Sequence, residues 1–138
     1  LISFNMFKQN FIFGIGPKMY RFECKNLKYL KNVNYSNHCY MHPHNTYLQL
    51  ISETGLLGTL FIFLVFIFIS SKLFLIKYDK SINSKSKNFE ILLYIAIFIT
   101  LWPINQNGNF FNNWLNFIYF FPIGIILSIE KFKRLYSS

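Results

Sequence analysis

The sequence predicts an all-α integral membrane protein: about three transmembrane helices, preceded by an extracytoplasmic segment that holds an amphipathic helix. Three observations carry this. The chain of 138 residues is 53% hydrophobic but only 14% charged, where a soluble domain carries about 25% charged residues. Residues 55–138 hold three apolar runs divided by polar connections. Its lysines gather on alternate connections, the pattern that marks the cytoplasmic side of a membrane. The 18 phenylalanines fit an AT-rich codon choice and are not read as a functional sign.

Taken in order, residues 1–13 are mixed aromatic and polar without a clean period. Gly14-Ile15-Gly16-Pro17 reads as a turn; a lone GxG before proline is a poor phosphate loop. Residues 18–41 read as an irregular basic loop, with Lys18, Arg21, Lys25, Lys28 and Lys31, bracketed by Cys24 and Cys39. A helix is expected from Pro43, since proline suits the first helical turn. On that helix Asn45, Gln49 and Ser52 form a polar stripe at i, i+4, i+7, beside a stripe of His44, Leu48 and Ile51. Gly55 and Gly58 allow a bend or a close backbone approach where this helix meets the first apolar one.

The spans are expected at 56–76, 89–104 and 114–129, each near the roughly 20 residues that a bilayer requires or somewhat short of it. Pro103 closes the second, and Trp114 opens the third like an interfacial anchor. Residues 1–54 are thus read as an extracytoplasmic segment and 55–138 as a membrane domain. The chain begins with Leu and shows no signal-peptide pattern, so a C-terminal piece of a larger polytopic protein is expected. The basic flanks, 72–88 and Lys131, Lys133 and Arg134, fall on one side if there are three spans. Residues 1–54 and the 105–113 loop then lie outside the cytoplasm.

A net charge of +9 raises nucleic acid as a partner, but the lysines flank apolar runs and membrane topology accounts for most of them. The basic residues of the outer segment are either solvated charge or a site for an anionic substrate. Paired-carboxylate chemistry is excluded, because Glu23 and Glu53 are the acids on that side. His38, Cys39, His42 and His44 do not match the spacing of a closed zinc site, and no metal or cofactor is expected. Cys24 and Cys39 share a compartment that permits a disulfide, worth about 2–4 kcal/mol; two free thiols are the other reading. His44 is either a structural residue at a helix start or a base. Asn107, Asn109, Asn112 and Asn113 beside Trp114 are either an uncharged turn or a sugar-binding edge.

His44-Asn45, nine residues, then Gly55-x-x-Gly58-Thr59 is similar to the signature of bacterial O-antigen ligases and the related O-antigen polymerases. The longer string His42-Pro43-His44-Asn45-x-Tyr47-Leu48-Gln49-Leu50-x-x-Glu53-x-Gly55 also resembles the C-terminal domain of that superfamily. Gly14-x-Gly16 ahead of Arg21 and Cys24, with Cys39 before the HPHN string, adds to it, as does the late run Gly108 to Trp114. The resemblance implies a multi-pass glycosyltransferase of the bacterial inner membrane with its active face periplasmic. It moves a glycan from an undecaprenyl diphosphate carrier, without a metal, to lipid A-core (ligase) or to another lipid-linked glycan (polymerase). It places the catalytic histidine on His44 and makes Arg21, with Lys18 beside it, the candidate grip on the diphosphate. His42, Asn45, Gln49, Glu53, Gly55 and Gly58 are expected to support the site. Helices upstream, and a further arginine there, are expected to complete it, so the 138 residues alone are expected to be inactive. A non-enzymatic transporter or flippase subunit for lipid-linked glycans is the alternative; it would place polar residues inside its spans.

Overall fold

The computed structural model describes residues 2–30, 39, 41–78, 84–104 and 108–136. Lys31, His38 and Asn107, weighed above, lie outside the described residues, as do residues 79–83 of the basic 72–88 flank. The described residues are mostly helical and contain no strand. The helices are α1 (Ile2–Gln9), α2 (Tyr20–Glu23), α3 (Thr46–Glu53), α4 (Gly55–Tyr78), α5 (Ser84–Thr100) and α6 (Asn113–Tyr136), with one 3-10 turn at Leu27–Tyr29. Residues 1–64 with 103–112 form one compact unit; residues 65–102 with 113–138 form a second.

In the first unit the absence of a clean period over residues 1–13 gives way to a helix, α1. Its buried positions are Ile2, Ser3 and Met6, while Phe4 is half exposed. A serine inside and a phenylalanine outside hide the helical period that apolar residues normally reveal. The inner face of α1 packs on α3. Around it gathers a small core of Ile2, Met6, Tyr20, Cys24 and Tyr29, with Ile15, Leu30 and Cys39 against it. Side-chain amides stitch α1 to the 3-10 turn: Asn5 Nδ2 donates to Tyr29 O at 2.9 Å and Gln9 Nε2 to Lys28 O at 3.0 Å.

The helix expected from Pro43 begins three residues later. Asn45 sits in extended backbone (φ −134°, ψ 129°), and its side chain accepts from Tyr47 N and Leu48 N. An asparagine N-cap satisfies amides that otherwise have no partner, and it outweighs the preference of proline for the first turn. Pro43 and His44 therefore precede α3.

α3 ends at Glu53 and α4 starts at Gly55, so the carbonyls at the end of one helix and the amides at the start of the next both need partners. The 11–16 turn supplies them. Ile15 N donates to Ser52 O at 3.0 Å and Gly16 N to Glu53 O at 2.9 Å, while Leu56 N donates to Phe11 O at 2.8 Å and Leu57 N to Ile12 O at 3.3 Å. The plain turn at Gly14–Pro17 is thus the brace that closes the break between α3 and α4. Gly58 meets the Thr54 side chain, leaving no room for a Cβ.

Among the described residues two helices are long and apolar enough to cross a membrane, over Gly55–Ile76 and Asn113–Lys133. α4 is apolar all round and leaves Leu60, Phe61, Leu64, Ile67 and Phe68 exposed, as a helix solvated by lipid does. α6 runs through Pro122 without ending, which membrane helices tolerate. In the second unit α5 packs on α6, and Lys133 Nζ forms an ion pair with the largely buried Glu90. That pair brings the start of α5 beside the end of α6. Phe66, Phe98 and Trp102 add an aromatic cluster, with centroids 5.2–5.9 Å apart. α5, where the 89–104 span was expected, is 17 residues long and ends at Thr100. It is not among the helices that meet the length and hydropathy of a span.

Candidate functional site

The inner face of α3 is the hub of the first unit. Gln49, Ser52 and Glu53 are all buried, so the polar stripe read from the sequence faces inward. Ser52 Oγ turns back to Leu48 O and Gln49 O, both at 2.9 Å. Glu53 Oε1 accepts from Tyr20 N and Oε2 from Gln49 Nε2, each at 2.9 Å. Gln49 Nε2 also donates to Asn109 Oδ1 at 2.8 Å, and Gln49 Oε1 accepts from Phe110 N at 2.9 Å. Asn45 Nδ2 donates to Pro103 O at 2.6 Å. One helix of eight residues therefore ties down the start of α2, the 108–111 loop and the turn at Pro103. Among the described residues no buried side-chain nitrogen or oxygen lacks a partner. A fully satisfied buried network of this kind fixes geometry.

The histidines stand at the outer end of this hub. His44 is exposed and His42 half-buried. Their rings lie edge to face, with centroids 5.3 Å apart. His42, expected to support the site, stands against His44: with α3 starting at Thr46, neither side chain is held to a helical face. The pKa of His42 is lowered, first by burial and then by electrostatic repulsion from His44, against a smaller raising effect from Glu53. His42 therefore favours the neutral imidazole. Tyr20 is raised, chiefly by burial, so its phenol stays protonated.

Arg21 is exposed on α2, with its guanidinium 4.6 Å from the Phe22 ring centroid. α2 is positioned by the Tyr20 N–Glu53 bond and by the core residue Cys24. Cys24 and Cys39 are brought together, with Cα atoms 5.4 Å apart, a separation that a disulfide spans. Lys18 is exposed and takes φ 63°. It occupies the third position of a Gly16–Met19 turn closed by Met19 N donating to Gly16 O at 3.2 Å, a place that favours glycine. Among the described residues no three His, Cys, Asp or Glu side chains gather as metal ligands do.

Sequence reasoning did not find Tyr20 N and the Pro103 carbonyl as anchors of α3, because main-chain partners carry no residue signature. It weighed Asn109 only as turn or sugar ligand; Asn109 Oδ1 accepts from Gln49 and from Phe111 N, the latter at 2.9 Å. From the sequence Asn45 reads as part of the polar stripe of a helix from Pro43; the structure makes it the cap, a role its residue type suits.

Fold and hub together define a helical protein whose polar centre lies directly before a helix long and apolar enough to cross a membrane. Residues 2–63 match the family model described as O-antigen ligase. The resemblance carried by the His44–Gly58 string thus holds over α1, α2, α3 and the start of α4. No curated protein and no solved structure matches the chain. The family match supports a ligase- or polymerase-like role in joining glycans at a membrane.

Proposed function

We propose that the chain carries part of the active site of a glycosyltransferase that moves a glycan from an undecaprenyl diphosphate donor. The acceptor is lipid A-core or a second lipid-linked glycan. The observation that carries the reading is the His42–His44 pair at the outer end of α3, inside the stretch that matches the O-antigen ligase family. In the reaction an acceptor hydroxyl oxygen attacks the donor's anomeric carbon. The bond from that carbon to the diphosphate oxygen breaks, and undecaprenyl diphosphate leaves with the electron pair. His44 as a neutral imidazole takes the hydroxyl proton. Arg21 and Lys18 hold the diphosphate and offset the charge that grows on it, a task that cations perform without a metal. The disulfide between Cys24 and Cys39 holds the Arg21 helix in place.

The same reading puts the protein in the inner membrane with residues 1–54 periplasmic. It has α5 cross the membrane as a third span, supported by the Glu90–Lys133 pair that sets the start of α5 beside the end of α6. The test is transfer by the complete protein in proteoliposomes, with a lipid-linked glycan as donor and a chelator present. Glycan appearing on lipid A-core or on a second lipid-linked glycan supports the reading. Donor left unconsumed with both acceptors supplied overturns it, and transfer that stops with the chelator overturns its metal-free form.

A further inference from the structure

We infer that α1 and the turn after it form a lipid-contacting wedge that lies at the bilayer surface beside the start of α4. The inner side of α1 is occupied by α3 and the small core. Its outer side is a ladder of aromatic rings: Phe4 to Phe7 at 6.4 Å and Phe7 to Phe11 at 4.9 Å between centroids. Beyond the ladder Ile12 is 53% and Phe13 76% exposed. Large apolar side chains in such number on one surface mark an interaction face rather than ordinary solvent exposure.

The occupant follows from what this face is joined to. Phe11 O and Ile12 O accept from the amides of Leu56 and Leu57, in the first turn of a helix apolar enough to span a bilayer. Leu56 and Leu57 are themselves exposed. The phenylalanines of the turn and the first leucines of the span thus make one continuous apolar surface, and the lipid that surrounds α4 reaches both. Lys8 Nζ lies 4.8 Å from the Phe4 ring centroid. A lysine that crosses an aromatic face and carries its charge outward suits the boundary between acyl chains and lipid phosphates. Only the eight residues of α3, about 12 Å of helix, separate the histidines from this level. The wedge would hold the hub at a fixed height over the membrane, where a lipid-borne substrate is presented.

The inference rests on α4 spanning the bilayer, so the test reads both. Phe13→Cys, Phe4→Cys and, in α4, Phe61→Cys are each spin-labelled in the complete protein in vesicles of mixed zwitterionic and anionic lipid, with the parent protein as background. Collisions with oxygen, which enters lipid, are compared with those of a water-soluble nickel chelate. At Phe61 oxygen dominates if α4 spans. At Phe13 and Phe4 the expected result is oxygen over chelate, at a shallower depth than Phe61. Chelate over oxygen at Phe13 and Phe4, with Phe61 in lipid, places the face in water and overturns the wedge. Labels shielded from both reagents place it against protein and overturn it as well. Chelate dominating at Phe61 overturns the membrane reading itself.

Discussion

Gly14 and Gly55 meet backbone to backbone. A Cβ on Gly55 would fall 2.5 Å from Gly14 N, and one on Gly14 would fall 2.6 Å from Gly55 N. Both residues take positive φ, 68° and 64°. This contact lets the 11–16 turn reach the break between α3 and α4 and complete the hydrogen bonds of both helix ends.

Gly14→Ala and Gly55→Ala should therefore each cost about 2–4 kcal/mol, from left-handed strain together with a main-chain clash. Thermal unfolding of the detergent-solubilised protein checks this. Gly124→Ala is the control, because nothing lies within 4 Å of a Cβ there and alanine is the better helix former. If all three variants melt alike, the brace is not what holds the helix break.

The Gln49 side chain serves Glu53, Asn109 and Phe110 at once. Gln49→Ala removes one partner each from Glu53 Oε2, Asn109 Oδ1 and Phe110 N, at about 1–3 kcal/mol for each one left unsatisfied, while Asn109 Oδ1 keeps Phe111 N. Asn109→Ala strands fewer. A double-mutant cycle of the two on thermal stability should show coupling of about 1 kcal/mol or more. Additive effects would mean that the 108–111 loop is held by other means.

Much of this hub was legible in the sequence, and the reasons are local. Asn45, Gln49 and Ser52 at helical spacing revealed the polar face of α3, and the length of apolar sequence revealed α4 and α6. The face bound by that stripe was not legible, since its partners are Tyr20 N, Phe110 N and Pro103 O. Helix α1 was hidden because it turns phenylalanines outward and a serine inward. The start of α3 was misplaced because proline and asparagine both signal a helix N-terminus, and the side-chain hydrogen bonds of Asn45 decide between them. The wedge in turn explains why α1 breaks the soluble rule: its outer solvent is read as lipid.

Lys18 holds a left-handed conformation in a turn position that suits glycine. Such strain costs of order 1 kcal/mol and persists where surrounding structure or function requires it. Lys18→Gly should leave stability unchanged or slightly raised while weakening use of the diphosphate donor, read as a higher KM. Lys18→Gly with unchanged donor KM would remove Lys18 from the site and leave the strain a packing matter.

The proposed topology places Ser84 and Gly108 on opposite sides of the membrane, because lysines cluster on alternate connections. Fusions of a cytoplasm-active and a periplasm-active reporter at each position should give opposite signals, with Gly108 periplasmic. The same signal at both positions would mean that α5 does not cross.

The histidine pair makes the sharpest test of the proposed chemistry, because the two rings stand 5.3 Å apart and the proposal assigns the base to one of them. His42 favours the neutral state, first through burial and then through electrostatic repulsion from His44. Positioned general-base catalysis contributes about 10²–10⁴-fold. His44→Ala in the complete protein should lower turnover by that range, with donor binding retained. His42→Ala should be milder, and it should act through the setting of His44. The two variants also separate in stability against pH. The pKa of His42 is lowered from 6.5 on folding, so below 6.5 the unfolded chain binds more protons and stability falls as pH drops toward the folded value. His42→Gln should flatten that slope while leaving stability above pH 6.5 nearly unchanged. If His42→Ala abolishes transfer while His44→Ala spares it, the base is His42. If both variants transfer glycan normally, the chemistry lies elsewhere and the His42–His44 end of α3 is structural.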